Sequence, residues 1–150
     1  SFAAGLKLST ESIKELRYRI NEYAITNMDP ENNIKVIDVG LNLPANMASL
    51  ELFDAINGLA PFGNENKKPY CMSEFIINDL RLVGSDASHL KLRLADQKGN
   101  VHDAIGFGMG AQFDWLKVGS DVKIVFEISQ NIWNNNRKHQ LEIVDIKPNE

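Results

Sequence analysis

The chain has 150 residues, 43% of them hydrophobic and 24% charged, the make-up of a water-soluble domain that can bury a real core. A formal charge of −4 at pH 7 argues against a surface coated in positive charge for duplex DNA, although a local basic stripe stays compatible with it. Cys71 is the single cysteine, which excludes an internal disulfide and a cysteine-built metal site and fits a reducing cytoplasm.

In chain order, Ser9 or Thr10 can cap a first helix, with Glu11 in its first turn. Ile13, Leu16, Ile20 and Tyr23 recur at three- and four-residue spacing and make one apolar face. The polar stretch from Asn27 to Asn33, with Pro30, ends that helix, and Ile34 to Leu43 reads as a strand. Pro44-Ala45-Asn46 turns the chain into a second helix carried by Leu50, Phe53, Ile56 and Leu59. The segment Leu59 to Pro69 is then a packed corner. Pro61 biases Ala60 away from helical geometry, Gly63 can take positive φ, Asn64 and Asn66 can bond to nearby backbone, and Phe62 needs a place to bury.

Beyond the corner the pattern changes to β. Strands are expected over Tyr70 to Val83, His89 to Asp96, Val101 to Phe107, Val122 to Ile132 and His139 to Ile146, with one or two helical turns over Ala111 to Leu116. The order β-β-β-α-β-β is that of the OB-fold, a small Greek-key barrel; the intervening helix favours it over an SH3-like barrel. The expected fold is mainly β with α: a five-stranded OB-fold barrel preceded by a helix-strand-helix segment. There is no internal repeat, no long apolar run and no signal peptide, so no membrane partner is expected.

On the second barrel strand Leu90, Leu92 and Leu94 point one way while His89, Lys91 and Arg93 point the other. The leucines fill the barrel. The basic series lines the outer face, either as an ordinary solvated strand or as the platform on which OB-folds hold single strands. Counting back by twos from Ile132 puts Ile128, Phe126 and Ile124 on the core face, so Trp133 faces outward beside Arg137 and Lys138. There it either stacks a base or packs across its hairpin. Asn134 to Asn136 need only tolerate positive φ in that hairpin. Lys67 and Lys68, with Tyr70, form a further small basic-aromatic group, either solvated or extending a phosphate track.

Catalytic chemistry is missing from the pattern. Gly106-Phe107-Gly108-Met109-Gly110 lacks the closing GK[ST] of a phosphate loop, and its glycines suit a strand that curls tightly. Parity beside two glycines leaves Phe107 either inside the barrel or on its face. His89, His102 and His139 lie on separate strands without metal-ligand spacing, so no catalytic or metal residue and no cofactor are assigned to this chain.

One resemblance spans nearly the whole chain. Leu59-Ala60-Pro61-Phe62-Gly63 with Asn66 and Pro69 resembles the segment that introduces the OB-fold domain of the RecJ family, bacterial single-strand-specific 5′→3′ DNA exonucleases. Three further stretches match in order: Ala3-Ala4-Gly5-Leu6 with the helix to Tyr23-Ala24; Val83-Gly84 with His89-Leu90-Lys91-Leu92; and Asp103 to Phe107 through Trp133 to Leu141-Glu142-Ile143. The resemblance implies that residues 1–43 are the end of a DHH-associated domain, 44–69 a linking helix and corner, and 70–148 the OB domain. It implies a cytoplasmic parent enzyme that uses Mn²⁺ or Mg²⁺ in DNA repair and recombination, with its ligands and a Gly-Gly-His motif upstream of Ser1. The chain opens mid-pattern and without Met, as an excised, catalytically inactive piece would. The implied partners are single-stranded DNA and a single-strand-binding protein. The competing reading is an OB module that binds protein or braces the enzyme without touching nucleic acid.

Overall fold

The computed structural model describes residues 5–29, 36–110 and 113–149, and of Trp133 the backbone alone. Expectations that rest on Ala3, Ala4, Pro30, Ile34 and Ala111 fall outside the described residues. The chain divides into two compact units, Ser1–Ile37 and Asp38–Glu150.

The first unit holds helix α1, Ile13–Asn27, entered through a 3-10 turn at Thr10–Ser12. Ser9 sits at the N-cap of that turn, but its hydroxyl meets Ser12 Oγ at 2.8 Å and caps no backbone amide. Ile13, Ile20 and Tyr23 are exposed, and no residue of α1 is buried. A helix of this length without a buried face is marginal on its own.

The second unit is the barrel. After strand β1 (Val39–Asn42) and a 3-10 turn at Ala45–Met47 comes helix α2, Leu50–Asn57, whose N-cap Ser49 accepts the Leu52 N–H at 3.3 Å. Then follow β2 (Tyr70–Val83), β3 (His89–Ala95), β4 (Val101–Gly106), β5 (Asp121–Trp133) and β6 (Asn136–Pro148). Among the described residues the strand order is β1-β2-β3-β4-β6-β5, and β2 also pairs with β5, so five strands close into a ring with β1 added alongside β2. β2 is long because it serves two neighbours. Cys71–Ile76 pairs with β5, and Ile76–Val83 with β3, with a register shift between Ile77 and Asp79 where the strand changes partner.

The alternating leucines of β3 behave as their period demands: Leu90 is 3% exposed, and Leu92 and Leu94 are fully buried. They meet Phe75, Ile77, Val122, Ile124, Phe126, Ile128 and Leu141 in one core, which Ala45, Ala48 and Ile56 close from the α2 side. Ile132, counted to the same face, is 60% exposed, because the β5–β6 ladder continues out to Trp133↔Asn136 beyond the barrel. Its tip is a two-residue turn in which Asn134 and Asn135 both have positive φ (47° and 63°), the geometry asparagine tolerates best after glycine.

The corner before β2 is packed as expected. Asn66 Nδ2 donates to Leu59 O (2.9 Å) and Pro61 O (3.0 Å), Gly63 and Asn66 exchange backbone bonds, and Phe62 lies against the core. Gly63 does not use positive φ, and Leu59, past the end of α2, is exposed. Of the expected helix over Ala111–Leu116, the first two positions lie outside the described residues, and the described part is not helical. Phe113 to Leu116 is a turn closed by Leu116 N–H to Phe113 O at 3.0 Å. Gly110 N–H is committed to Ser88 O and Gly119 N–H to Ile77 O, and Phe113 and Leu116 pack with the core. Ring closure and strand order define the barrel.

Candidate nucleic-acid interface

The outer face of β2, β3 and β4 is built in rows by the ladder register. Arg81 pairs with Lys91, which pairs with Ile105; Asp79 pairs with Arg93, which pairs with Asp103; Val83 pairs with His89. Successive rows along β3 stand about 7 Å apart, so His89 to Arg93 covers about 14 Å. The charges in these rows differ. Arg93 is flanked by a carboxylate on each side, which offsets its field. Lys91 has Arg81 beside it, and Arg81 keeps only a loose 3.6 Å pair with Asp79. Arg81 was not singled out in the sequence, because its parity is hidden by the bulge at Ile77/Asp79. It makes this row the basic centre of the face.

Phe107, left undecided by parity, lies just past β4 and is 62% exposed, its ring edge-on to His89 at 5.4 Å. His89 Nδ1 accepts the Gly108 N–H at 3.0 Å. At the other end of the β3 face, Arg93, Arg137 and Lys138 line one cleft of about 300 Å³ together with Leu50 and Asp103.

Two of the expected cations, Arg137 and Lys68, are engaged within the protein. The Arg137 guanidinium forks onto the Asp54 carboxylate of α2 (Nη1–Oδ2 3.1 Å, with Nη2 on Oδ1), its Nε donates to Gln130 Oε1 at 2.6 Å, and it lies over the Phe53 ring. That pairing holds the Asp54 carboxyl below the usual carboxylate range. Lys68 pairs with Glu127 at 3.0 Å and donates to Ile128 O, which places it against β5, with β2 between it and β3. Lys67 is exposed. Trp133 closes the β5–β6 ladder opposite Asn136, and its side chain lies outside the described residues.

Two of the three histidines are less dispersed than their spacing suggests. His102 Nδ1 and His139 Nε2 share a hydrogen bond of 3.0 Å, and His102 Nε2 lies 3.6 Å from Asp96 Oδ2 in a buried cluster. The arrangement is structural. Asp96 Oδ1 accepts the Lys98 and Asn100 N–H groups and its Oδ2 the Asn100 side chain, all at 2.8 Å, which ties the β3–β4 turn. Burial raises the Asp96 carboxyl, but the Asn100, Lys98 and His102 hydrogen bonds outweigh it and hold the group below its ordinary value. Among the described residues no group of three or more His, Cys, Asp or Glu could hold a metal ion.

Burial first, and His102 beside it second, hold the His139 imidazole below its ordinary 6.5, against smaller opposite pulls from Asp103 and Glu51. The unfolded chain therefore binds this proton more readily than the folded one. The stability that follows is complete above about pH 6.5 and falls as pH drops below it. Melting temperature measured from pH 7.5 down to 5 should decline for the natural chain. His139→Gln should flatten that decline, and an unchanged slope would exclude His139 as its source.

A ring of five strands with a filled interior and a basic-aromatic outer face on β3 and β4 defines an OB-fold module. The family described as RecJ OB domain matches residues 38–145, so the chain belongs to that family. A "Single-stranded-DNA-specific exonuclease RecJ" from Bacillus subtilis (strain 168) is 35% identical over 144 residues, covering 95% of this chain and 18% of the relative. The protein of the same name from Haemophilus influenzae is 27% identical over 150 residues, 99% of this chain and 26% of its own length. This chain thus spans about a fifth to a quarter of the curated relatives it matches. Among solved structures, RecJ from Thermus thermophilus in complex with Mn²⁺ superposes with a TM-score of 0.67 at 22% identity, over 97% of this chain and 20% of that one. That likeness extends the shared fold to nearly the full chain.

Proposed function

We propose that this chain is the single-stranded-DNA-binding OB portion of a RecJ-like 5′→3′ exonuclease, and that it positions the strand for hydrolysis by a DHH nuclease domain lying outside this sequence. The observation that carries the reading is the Arg81–Lys91 row beside the exposed Phe107 on the β3–β4 face, in a chain of the RecJ OB domain family. Cations there would neutralise phosphates while the aromatic edge favours unpaired bases, so single strands would be preferred to duplex. Residues 1–43 would be the end of a DHH-associated domain. Lys91, Arg93 and Lys138 would line the strand's path with His89; Trp133, Lys67, Lys68 and Arg137 would flank it.

The divalent ion of the whole enzyme, Mn²⁺ or Mg²⁺, finds no fitting donor set among the described residues of this chain. The parent would be a cytoplasmic enzyme of DNA repair and recombination, with a single-strand-binding protein as a further partner. No helix among the described residues is long and apolar enough to cross a membrane.

Fluorescence anisotropy with labelled single-stranded and duplex oligonucleotides, at low and moderate salt, tests the proposal. Tighter binding of the single strand is expected, with log K falling by about 0.7 per phosphate neutralised as log salt rises. Equal binding of duplex, or no binding at low salt by the folded chain, would defeat it. A second reading, a module that contacts protein or braces the enzyme, draws support from Arg137 and Lys68, whose charges are engaged internally.

A further inference from the structure

We propose that the Phe107 ring and the Nε2–H edge of His89 form a subsite for one unpaired nucleobase at the rim of the barrel. The inference rests on the single-strand reading above and names the residues that meet a base instead of a phosphate.

Phe107 is a large apolar side chain left 62% exposed, on a loop that is nonetheless held firmly. Gly108, at φ +70°, donates its N–H to His89 Nδ1 at 3.0 Å, and Gly110 donates to Ser88 O at 2.8 Å. A Cβ on Gly110 would stand 2.3 Å from Ala87 O, so the glycine loop lies backbone to backbone on the turn that leads into β3. The aromatic ring is thus presented by a clamped loop, which limits the ordering a ligand would have to impose.

The same clamp orients His89. Its Nδ1 lone pair takes the Gly108 N–H, with Ser88 Oγ 3.3 Å away, so the ring hydrogen sits on Nε2. Nε2 has no hydrogen-bond partner among the described residues. His89 meets Phe107 edge-on, at 78° between the ring planes. The rim therefore offers a π-face and one nearby donor, with the cations of Lys91 and Arg81 one row along the sheet. A nucleobase supplies the matching parts: a flat face for Phe107, a ring nitrogen or carbonyl oxygen for Nε2–H, and a linked phosphate for Lys91. A purely anionic ligand would leave the aromatic face unused, and an aliphatic side chain would leave the donor unused.

Phe107→Ala removes little folded-state packing, because the ring is mostly in solvent, and a melting curve checks that the fold is kept. Base stacking on an aromatic is worth roughly a 5- to 150-fold change in affinity on alanine substitution. Phe107→Ala should therefore weaken binding of a single-stranded oligonucleotide about 5- to 150-fold with its salt slope unchanged. The natural chain and the variant should bind a wholly abasic strand alike. His89→Phe, which keeps an aromatic and deletes the donor, should weaken the intact strand and leave the abasic strand unaffected. Equal affinity of natural chain and Phe107→Ala for the intact strand, or equal losses on the intact and abasic strands, would overturn the subsite. If binding then still falls in an Arg81→Gln, Lys91→Gln variant, the single-strand reading survives without it. A natural chain that binds no single strand at all overturns both.

Discussion

Replacing Phe75 by alanine is expected to lower the stability of the barrel by about 3–5 kcal/mol. Phe75 is 2% exposed on β2, opposite Val122 of β5, and its ring meets Phe126 at 6.0 Å and His102 at 5.6 Å, both edge-on. It therefore stands where β2 pairs with β5 to close the ring. Truncation forfeits the transfer of the ring out of water and leaves a cavity whose walls are strands hydrogen-bonded on both sides, which collapse poorly. A domain of this size is stable by about 5–15 kcal/mol in total, so the loss would be a large share of it. Urea unfolding followed by circular dichroism measures it. Ile76→Ala, one residue on and 46% exposed, is the control, with an expected change within about 0.5 kcal/mol. Similar midpoints for the two variants would mean that Phe75 is not central to the core.

The second large effect concerns binding. The double variant Arg81→Gln, Lys91→Gln should weaken single-strand binding about 30-fold at low salt, taking about 1 kcal/mol for each of the two cations. It should also flatten the slope of log K against log salt by about 1.4, two contacts at about 0.7 each. The slope is the sharper readout, because it counts phosphates and is insensitive to small changes in packing. Arg93→Gln should do less, since Asp79 and Asp103 already flank that charge. If Arg93→Gln matched the double variant, the basic centre would lie lower on β3 than the row of Arg81 and Lys91.

Local patterning was sufficient for the barrel. The period of two in His-Leu-Lys-Leu-Arg-Leu needs no partner strand to say which side is dry, because alternate side chains must leave opposite faces of any strand. Asn134 and Asn135 likewise declare their hairpin through backbone conformations that few other residues tolerate. The corner at Leu59 to Pro69 was legible for the same reason: Pro61 and Asn66 act on backbone a few residues away.

What tertiary structure alone decided was which charged and aromatic groups remain available. Arg137 meets Asp54 across 83 positions, Lys68 meets Ile128 across 60, and His102 meets His139 across 37. No periodicity reaches that far, so cations that looked alike along the chain separate into engaged and available ones only after the ring closes. Phe107 turns outward, and Phe113 to Leu116 forms a turn in a stretch whose flanking Gly110 and Gly119 are bonded to Ser88, just before β3, and Ile77 of β2. Side-chain alternation is a property of one strand and is written locally. The field and exposure at a binding face are sums over neighbours brought together by folding, and these were settled by the strand order.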